Sequence, residues 1–197
     1  MNIVLASKSE RRKEILKNYI KDFIIVDSYS DEIYDYNFDL YTNIMSISRK
    51  KVKNVKHNYI DSIILGADTV VVLEDEILGK PVDEKEARIF LKKLSGKEHK
   101  VITAFSICNI EKDIEICDYV ESIVKFQELD DELIEDYLDT EEWMGKAGAY
   151  GIQGKASIFV DSICGDYLCI VGLPISKILV YLKDYFDFNV MRLDDDI

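Results

Sequence analysis

The 197-residue chain is short of proline (two), cysteine (four), histidine (two) and positive charge, with 25 Lys and Arg against 38 Asp and Glu and a net charge of −13. Each shortage excludes something. Two prolines and nine glycines beside 48% apolar residues exclude disordered and fibrous classes and leave enough material for a sizeable core. The deficit of positive charge excludes a protein that coats a nucleic-acid polymer, because such binding depends on Lys and Arg neutralising phosphates. A small anionic ligand in a local basic pocket stays compatible with it. Cys108, Cys117, Cys164 and Cys169 form no CxxC pair and His57 lies far from His99, which argues against structural zinc and for buried thiols in a reducing compartment. No apolar run approaches the roughly 20 residues of a membrane span, and MNIVLAS lacks the features of a signal peptide, so the expectation is a cytoplasmic protein without a membrane partner.

What is present reads as strands interleaved with helices. Ile3 to Ala6 is a short buried strand, followed by a polar turn and a helix through RRKEILKNYI, with Ser7 and Glu10 at capping-box spacing. Leu40, Ile44, Ile47, Lys51 and Val55 form one stripe of a helix over residues 38–56, and IILGADTVVVL (63–73) reads as a buried strand with a short return strand after EDE. Asp83 caps a helix with an Ala87, Phe90, Leu91, Leu94 stripe that stops at Gly96. Residues 100–110 and 115–126 form a hairpin, and DDELIEDYLD is a helix facing inward through Leu133, Ile134, Tyr137 and Leu138. Strands are expected over 157–163 and 167–171, then a helix over 176–185 and a frayed acidic tail over 191–197. Residues 1–190 are expected to form a single α/β domain with a mixed sheet.

Several residues stand out chemically. Ser7, Lys8, Ser9, Arg11 and Arg12 lie between a strand and a helix N-terminus, where backbone N–H groups, hydroxyls and guanidinium forks suit phosphate; the alternative is a capped surface helix with exposed arginines. Asp68 interrupts an apolar run. A buried carboxylate is costly unless paired or bound to metal, and it can hold a divalent ion or act as general base on water; the alternative is a bend that exposes it. Lys51 falls in its helix's apolar stripe, so its ammonium either points into a cleft or snorkels to water. Lys80 precedes Pro81, Glu32 sits in a polar loop as a candidate metal ligand, and Lys146 and Gln153 flank a run of glycines at 145, 148, 151 and 154. Each has a bland counterpart as an ordinary turn or loop residue, although Gln offers a donor and an acceptor to a base edge. Neither GxxxxGK followed by Ser or Thr, nor GxGxxG after a strand, occurs, which excludes P-loop and dinucleotide-binding readings.

SKSERR, GADTVVV, LGKPVDEKEA, LSGKEHKVITA, KAGAYGIQG and GLPI occur in this order, and in that respect the chain resembles Maf proteins over roughly residues 2 to 185. The resemblance implies a nucleoside triphosphate pyrophosphatase that splits the α–β phosphoanhydride with Mg²⁺ or Mn²⁺. KAGAYGIQG is similar to the subgroup acting on dTTP and UTP, with purine specificity (7-methyl-GTP or ITP) or a catalytically weak regulator of septum formation as alternatives. The implied fold is a mixed elongated sheet with flanking helices and two lobes around a central cleft, similar to inosine triphosphate pyrophosphatases. By the same resemblance Asp68 is the proton acceptor and a metal ligand with Glu32, Arg11, Thr69 and Gln153 set specificity, and Ser7, Arg12, Lys51, Lys80 and Lys146 line the phosphate site. A homodimer is common among such proteins, and no stripe in this sequence marks an interface. Three positions depart from the family pattern: Glu10 and Trp143 stand where proline is usual, and Gly145 stands where aspartate is usual. They imply a negative charge near the phosphate site, a looser loop and one carboxylate fewer.

Overall fold

The computed structural model describes residues 2–28, 34–35 and 37–192. Its elements are β1 (Ile3–Ala6), α1 (Glu10–Lys17), β2 (Ile24–Val26), α2 (Leu40–Lys53), β3 (Ile63–Leu73), β4 (Glu76–Leu78), α3 (Glu84–Leu94), β5 (Glu98–Asn109), β6 (Ile114–Phe126), α4 (Asp131–Leu138), β7 (Val160–Cys164), α5 (Tyr167–Val171) and α6 (Ile175–Phe186). The seven strands form one sheet in the order β2-β1-β3-β5-β6-β7, with β4 paired to β3. β1 runs parallel to β2 and to β3, whereas β3–β4 and β6–β7 are antiparallel, so the sheet is mixed, with helices flanking it. Parallel neighbours require crossovers, and α1 and α2 supply them for β2-β1-β3.

The chain divides into two compact units, one of Met1–Asp68, Thr103–Tyr119 and Gly172–Ile197, the other of Thr69–Ile102 and Val120–Val171. In the first, Val4, Ala6, Val52, Val55, Ile64 and Cys108 form a buried cluster with Val26, Tyr59 and Ile110 against it. Gly66 lets α2 come this close to β3. A Cβ at Gly66 would lie 2.8 Å from Val52 Cγ2 and 3.0 Å from the Ser48 carbonyl, so Val52 or the α2 backbone would have to shift to admit it. In the second unit α3 buries Ala87, Phe90, Leu91 and Leu94, the stripe its sequence spacing predicts, and Asp83 caps it through the Glu86 N–H at 2.8 Å.

Four expectations need correction. The N-cap of α1 is Ser9, whose hydroxyl accepts from Arg12 N–H, and Glu10 instead approaches Lys13 at 3.3 Å, so Ser7 and Glu10 form no capping box. β2 has no counterpart in the sequence reading, because it is three residues long and largely exposed at the sheet edge. Residues 155–159 form a 3₁₀ turn before β7, and Tyr167–Val171 is helix rather than strand. The Asp166 carboxylate accepts from Leu168 N–H at 2.7 Å and starts that last helix, which periodicity in a five-residue apolar run cannot reveal. Finally, of the four thiols only Cys108 and Cys169 are buried; Cys164 is exposed on β7. Among the described residues no helix is long and apolar enough to cross a membrane. The expected tail over 191–197 falls largely outside the described residues, and so does Glu32.

Candidate active site

β3 runs unbroken from Ile63 to Leu73, so Asp68 is not at a bend, and its exposure is 4%. A carboxylate there requires a partner. Lys51 provides it: the ammonium donates to Asp68 Oδ1 at 2.6 Å and to the Ala67 carbonyl at 3.2 Å. Lys51 is itself only 8% exposed, so it does not snorkel. Its place in the α2 stripe turns it inward, and the close approach at Gly66 brings it within reach of β3. Neither charge is stable there without the other, since each would be buried unpaired.

The strand-turn-helix joint lies in the same unit. Ser7 is buried at the end of β1, and its hydroxyl accepts from Ser9 N–H at 3.2 Å and from Arg12 Nη1 at 3.4 Å. Arg12 Nε donates to the Gly172 carbonyl at 2.7 Å, which fixes the guanidinium plane. Gly172 belongs to the GLPI segment, whose function the sequence alone left unassigned. Arg11 is half-buried beside it, while Lys8 is drawn to exposed Asp27 at 2.8 Å. Ser9 as N-cap leaves the first-turn amides of α1 as the positive end of a helix, in keeping with an anion site.

In the other unit Thr69 follows Asp68 on the opposite face of β3 and is half-buried. Lys80 is exposed; its neighbour Gly79 accepts from Gly148 N–H at 3.0 Å, which joins the LGKP turn to the glycine segment. Lys146 is half-buried, and its stem lies so near Gly151 that a Cβ there would meet Lys146 Cε at 3.3 Å. Gln153 is exposed at the tip of a turn closed by Gly154 N–H donating to Gly151 O at 2.9 Å. Ser7 with Arg12 and Lys51 with Asp68 are therefore direct pairs, and Lys80 and Lys146 are carried by hydrogen-bonded segments.

The departures from the family pattern also find a structural reason. Trp143 is 9% exposed and donates from Nε1 to the Leu138 carbonyl at 3.2 Å, so it anchors the loop instead of loosening it. Gly145 adopts φ +66°, a left-handed conformation that costs glycine little and that aspartate also tolerates better than most residues. No group of three His, Cys, Asp or Glu is poised for a metal among the described residues. Mg²⁺ does not need one, because it is usually held by one or two carboxylates together with substrate phosphates and water. Asp68 is a hard oxygen donor of that kind, so the residues present fit such an ion.

The family model described as Maf-like protein matches residues 2–185. A Clostridioides difficile (strain 630) protein named dTTP/UTP pyrophosphatase is 49% identical over 190 residues, covering 96% of this chain and 98% of its own. A Fusobacterium nucleatum protein of the same name is 49% identical over 181 residues, covering 92% and 94%. Among solved structures, the Staphylococcus aureus Ham1 protein superposes with a TM-score of 0.45 at 12% identity, over 64% of this chain and 72% of that one.

Proposed function

Because this chain belongs to the Maf family over residues 2–185, we propose that it is a nucleoside triphosphate pyrophosphatase that hydrolyses dTTP and UTP to the monophosphate and pyrophosphate. The observation that carries the reading is the buried Lys51–Asp68 pair at 2.6 Å, in the same unit as the Ser7–Arg12 joint. A phosphoanhydride resists attack at neutral pH because its oxygens repel nucleophiles and its leaving group carries charge. Asp68 deals with the first difficulty. A carboxylate offers about four acceptor sites, and Lys51 takes one oxygen, which orients the group to accept a proton from water. That water's oxygen bonds to the α-phosphorus, the bond to the bridging oxygen breaks, and pyrophosphate leaves with the electron pair.

The second difficulty is electrostatic. Arg12, locked by Gly172 and Ser7, with the N-terminal amides of α1, supplies fixed positive potential for phosphate oxygens; Lys80 and Lys146 are proposed for the same charge. A divalent cation held by Asp68, with Glu32 as the proposed second ligand, would neutralise charge on the same oxygens. Arg11, Thr69 and Gln153 are proposed to select the nucleotide, Gln153 through the donor and acceptor of its amide against a pyrimidine edge.

The test is pyrophosphate release from dTTP, UTP, CTP, GTP, 7-methyl-GTP and ITP, each with and without Mg²⁺ or Mn²⁺. Release confined to dTTP and UTP and dependent on the ion is expected. Preferential release from a purine nucleotide would overturn the substrate assignment, and release unaffected by chelation would overturn the metal assignment.

A further inference from the structure

Two of the sequence blocks, LSGKEHKVITA and KAGAYGIQG, meet inside the second unit. His99 of the first block is 2% exposed, and its Nε2 lies 2.8 Å from the hydroxyl of Tyr150 in the second. Its other ring nitrogen, Nδ1, has no hydrogen-bond partner among the described residues. An apolar residue would avoid that cost, so what the histidine contributes is its bond to Tyr150. One residue further on, Gly151 N–H donates to the Tyr137 hydroxyl at 3.3 Å. The rings of Tyr137 and Tyr150 pack edge-on against Phe159 and Phe126, which pack on each other, so both hydroxyls project from one rigid aromatic wall. On the far side of the turn Lys155 N–H donates to Glu142 Oε2 at 2.8 Å. The enclosed segment is Gly151 to Gly154, with Ile152 buried inward and Gln153 at the exposed tip.

Resting on the reading of Gln153 as the base-selecting residue, we infer that His99, Tyr137, Tyr150 and Glu142 are positioning residues that clamp this turn from both sides and so set nucleotide discrimination. His99, Tyr137 and Tyr150 are buried, so they act through the turn they hold. An amide that tells a 4-oxo from a 4-amino pyrimidine works only while its donor and acceptor are held in register with the base, and a turn tied at Tyr150, Gly151 and Lys155 cannot swivel to suit the wrong edge. Releasing one tie costs selectivity before it costs chemistry, since Asp68 takes no part in these ties.

The experiment compares kcat/KM for UTP with kcat/KM for CTP in the wild type, Tyr150→Phe, Tyr137→Phe, Glu142→Leu and Glu142→Gln, with urea midpoints measured alongside. The phenylalanine variants keep the aromatic wall and remove only the hydroxyls. Glu142→Leu removes the acceptor, and Glu142→Gln keeps one. The expected result is that the UTP:CTP ratio falls about tenfold in Tyr150→Phe and Glu142→Leu, through KM more than kcat, and is restored in Glu142→Gln. A core variant away from the aromatic wall, Leu182→Ala in α6, should lower the urea midpoint and leave the ratio alone. An active wild type whose ratio is unmoved in Tyr150→Phe, Tyr137→Phe and Glu142→Leu would overturn the clamp and leave the pyrophosphatase reading standing. A wild type inactive on every nucleotide would overturn that reading and the clamp's role with it.

Discussion

Replacing Lys51 by methionine keeps the length and apolar stem of the side chain and deletes the ammonium 2.6 Å from Asp68. Asp68 is 4% exposed, so its carboxylate then sits in a space that water barely reaches. Removing one partner of a buried ion pair costs about 3 to 5 kcal/mol, mainly through the charge left behind. Against a whole-protein stability of about 5 to 15 kcal/mol, that is a loss any unfolding curve resolves. The reasoning also fixes what the double variant does: Lys51→Met with Asp68→Leu leaves no buried charge and should recover at least about 2 kcal/mol of the loss. Urea unfolding followed by far-ultraviolet circular dichroism, at constant m-value, measures both. A Lys51→Met variant destabilised by less than about 1 kcal/mol, the range of a solvated surface pair, would refute the claim that this pair is held away from water.

Three further outcomes follow from other contacts. Gly66→Ala puts a methyl group 2.8 Å from Val52 Cγ2 and 3.0 Å from a backbone carbonyl, so it should cost about 1 to 3 kcal/mol and lower kcat by separating α2 from β3; an unchanged urea midpoint would contradict the close approach. Arg12→Lys keeps the charge but cannot serve the Gly172 carbonyl and Ser7 at once, so KM for nucleotide should rise about tenfold, and an unaltered KM would remove Arg12 from the site. His99 is held down at about 4 by burial, from 6.5 when unfolded. The unfolded chain therefore binds a proton that the folded chain refuses: a contribution of about 3 kcal/mol, full above pH 6.5, is lost as pH falls to about 4. Urea midpoints between pH 7.5 and 4.5 should fall less steeply for His99→Gln than for the wild type, and parallel curves would contradict the burial argument.

Long periodic or continuous apolar segments were legible in the sequence because burial on one or both faces leaves a mark there. The Ile63–Leu73 strand and the α3 stripe are such cases, and both match the structure. Lys51 and Asp68 were legible for the same reason, each being a charge where the pattern demanded an apolar residue. What failed was short. Ile24–Val26 forms a strand only because β1 offers an edge, and Tyr167–Val171 forms a helix because Asp166, whose N–H donates to the Ser122 hydroxyl, caps it. The ties of His99 to Tyr150 and of Tyr137 to Gly151 join residues 51 and 14 positions apart, and no local pattern announces such a meeting. The Arg12–Gly172 contact, 160 positions apart, was hidden in the same way.

The most direct test of the central claim is single-turnover pyrophosphate release from dTTP by Asp68→Asn beside the wild type, with dTTP binding and the urea midpoint measured on the same samples. The substitution keeps the shape of the side chain and removes its ability to take a proton. The account predicts a rate lower by about 10²- to 10⁴-fold with dTTP still bound and the fold intact. A folded Asp68→Asn that releases pyrophosphate at close to the wild-type rate would contradict it.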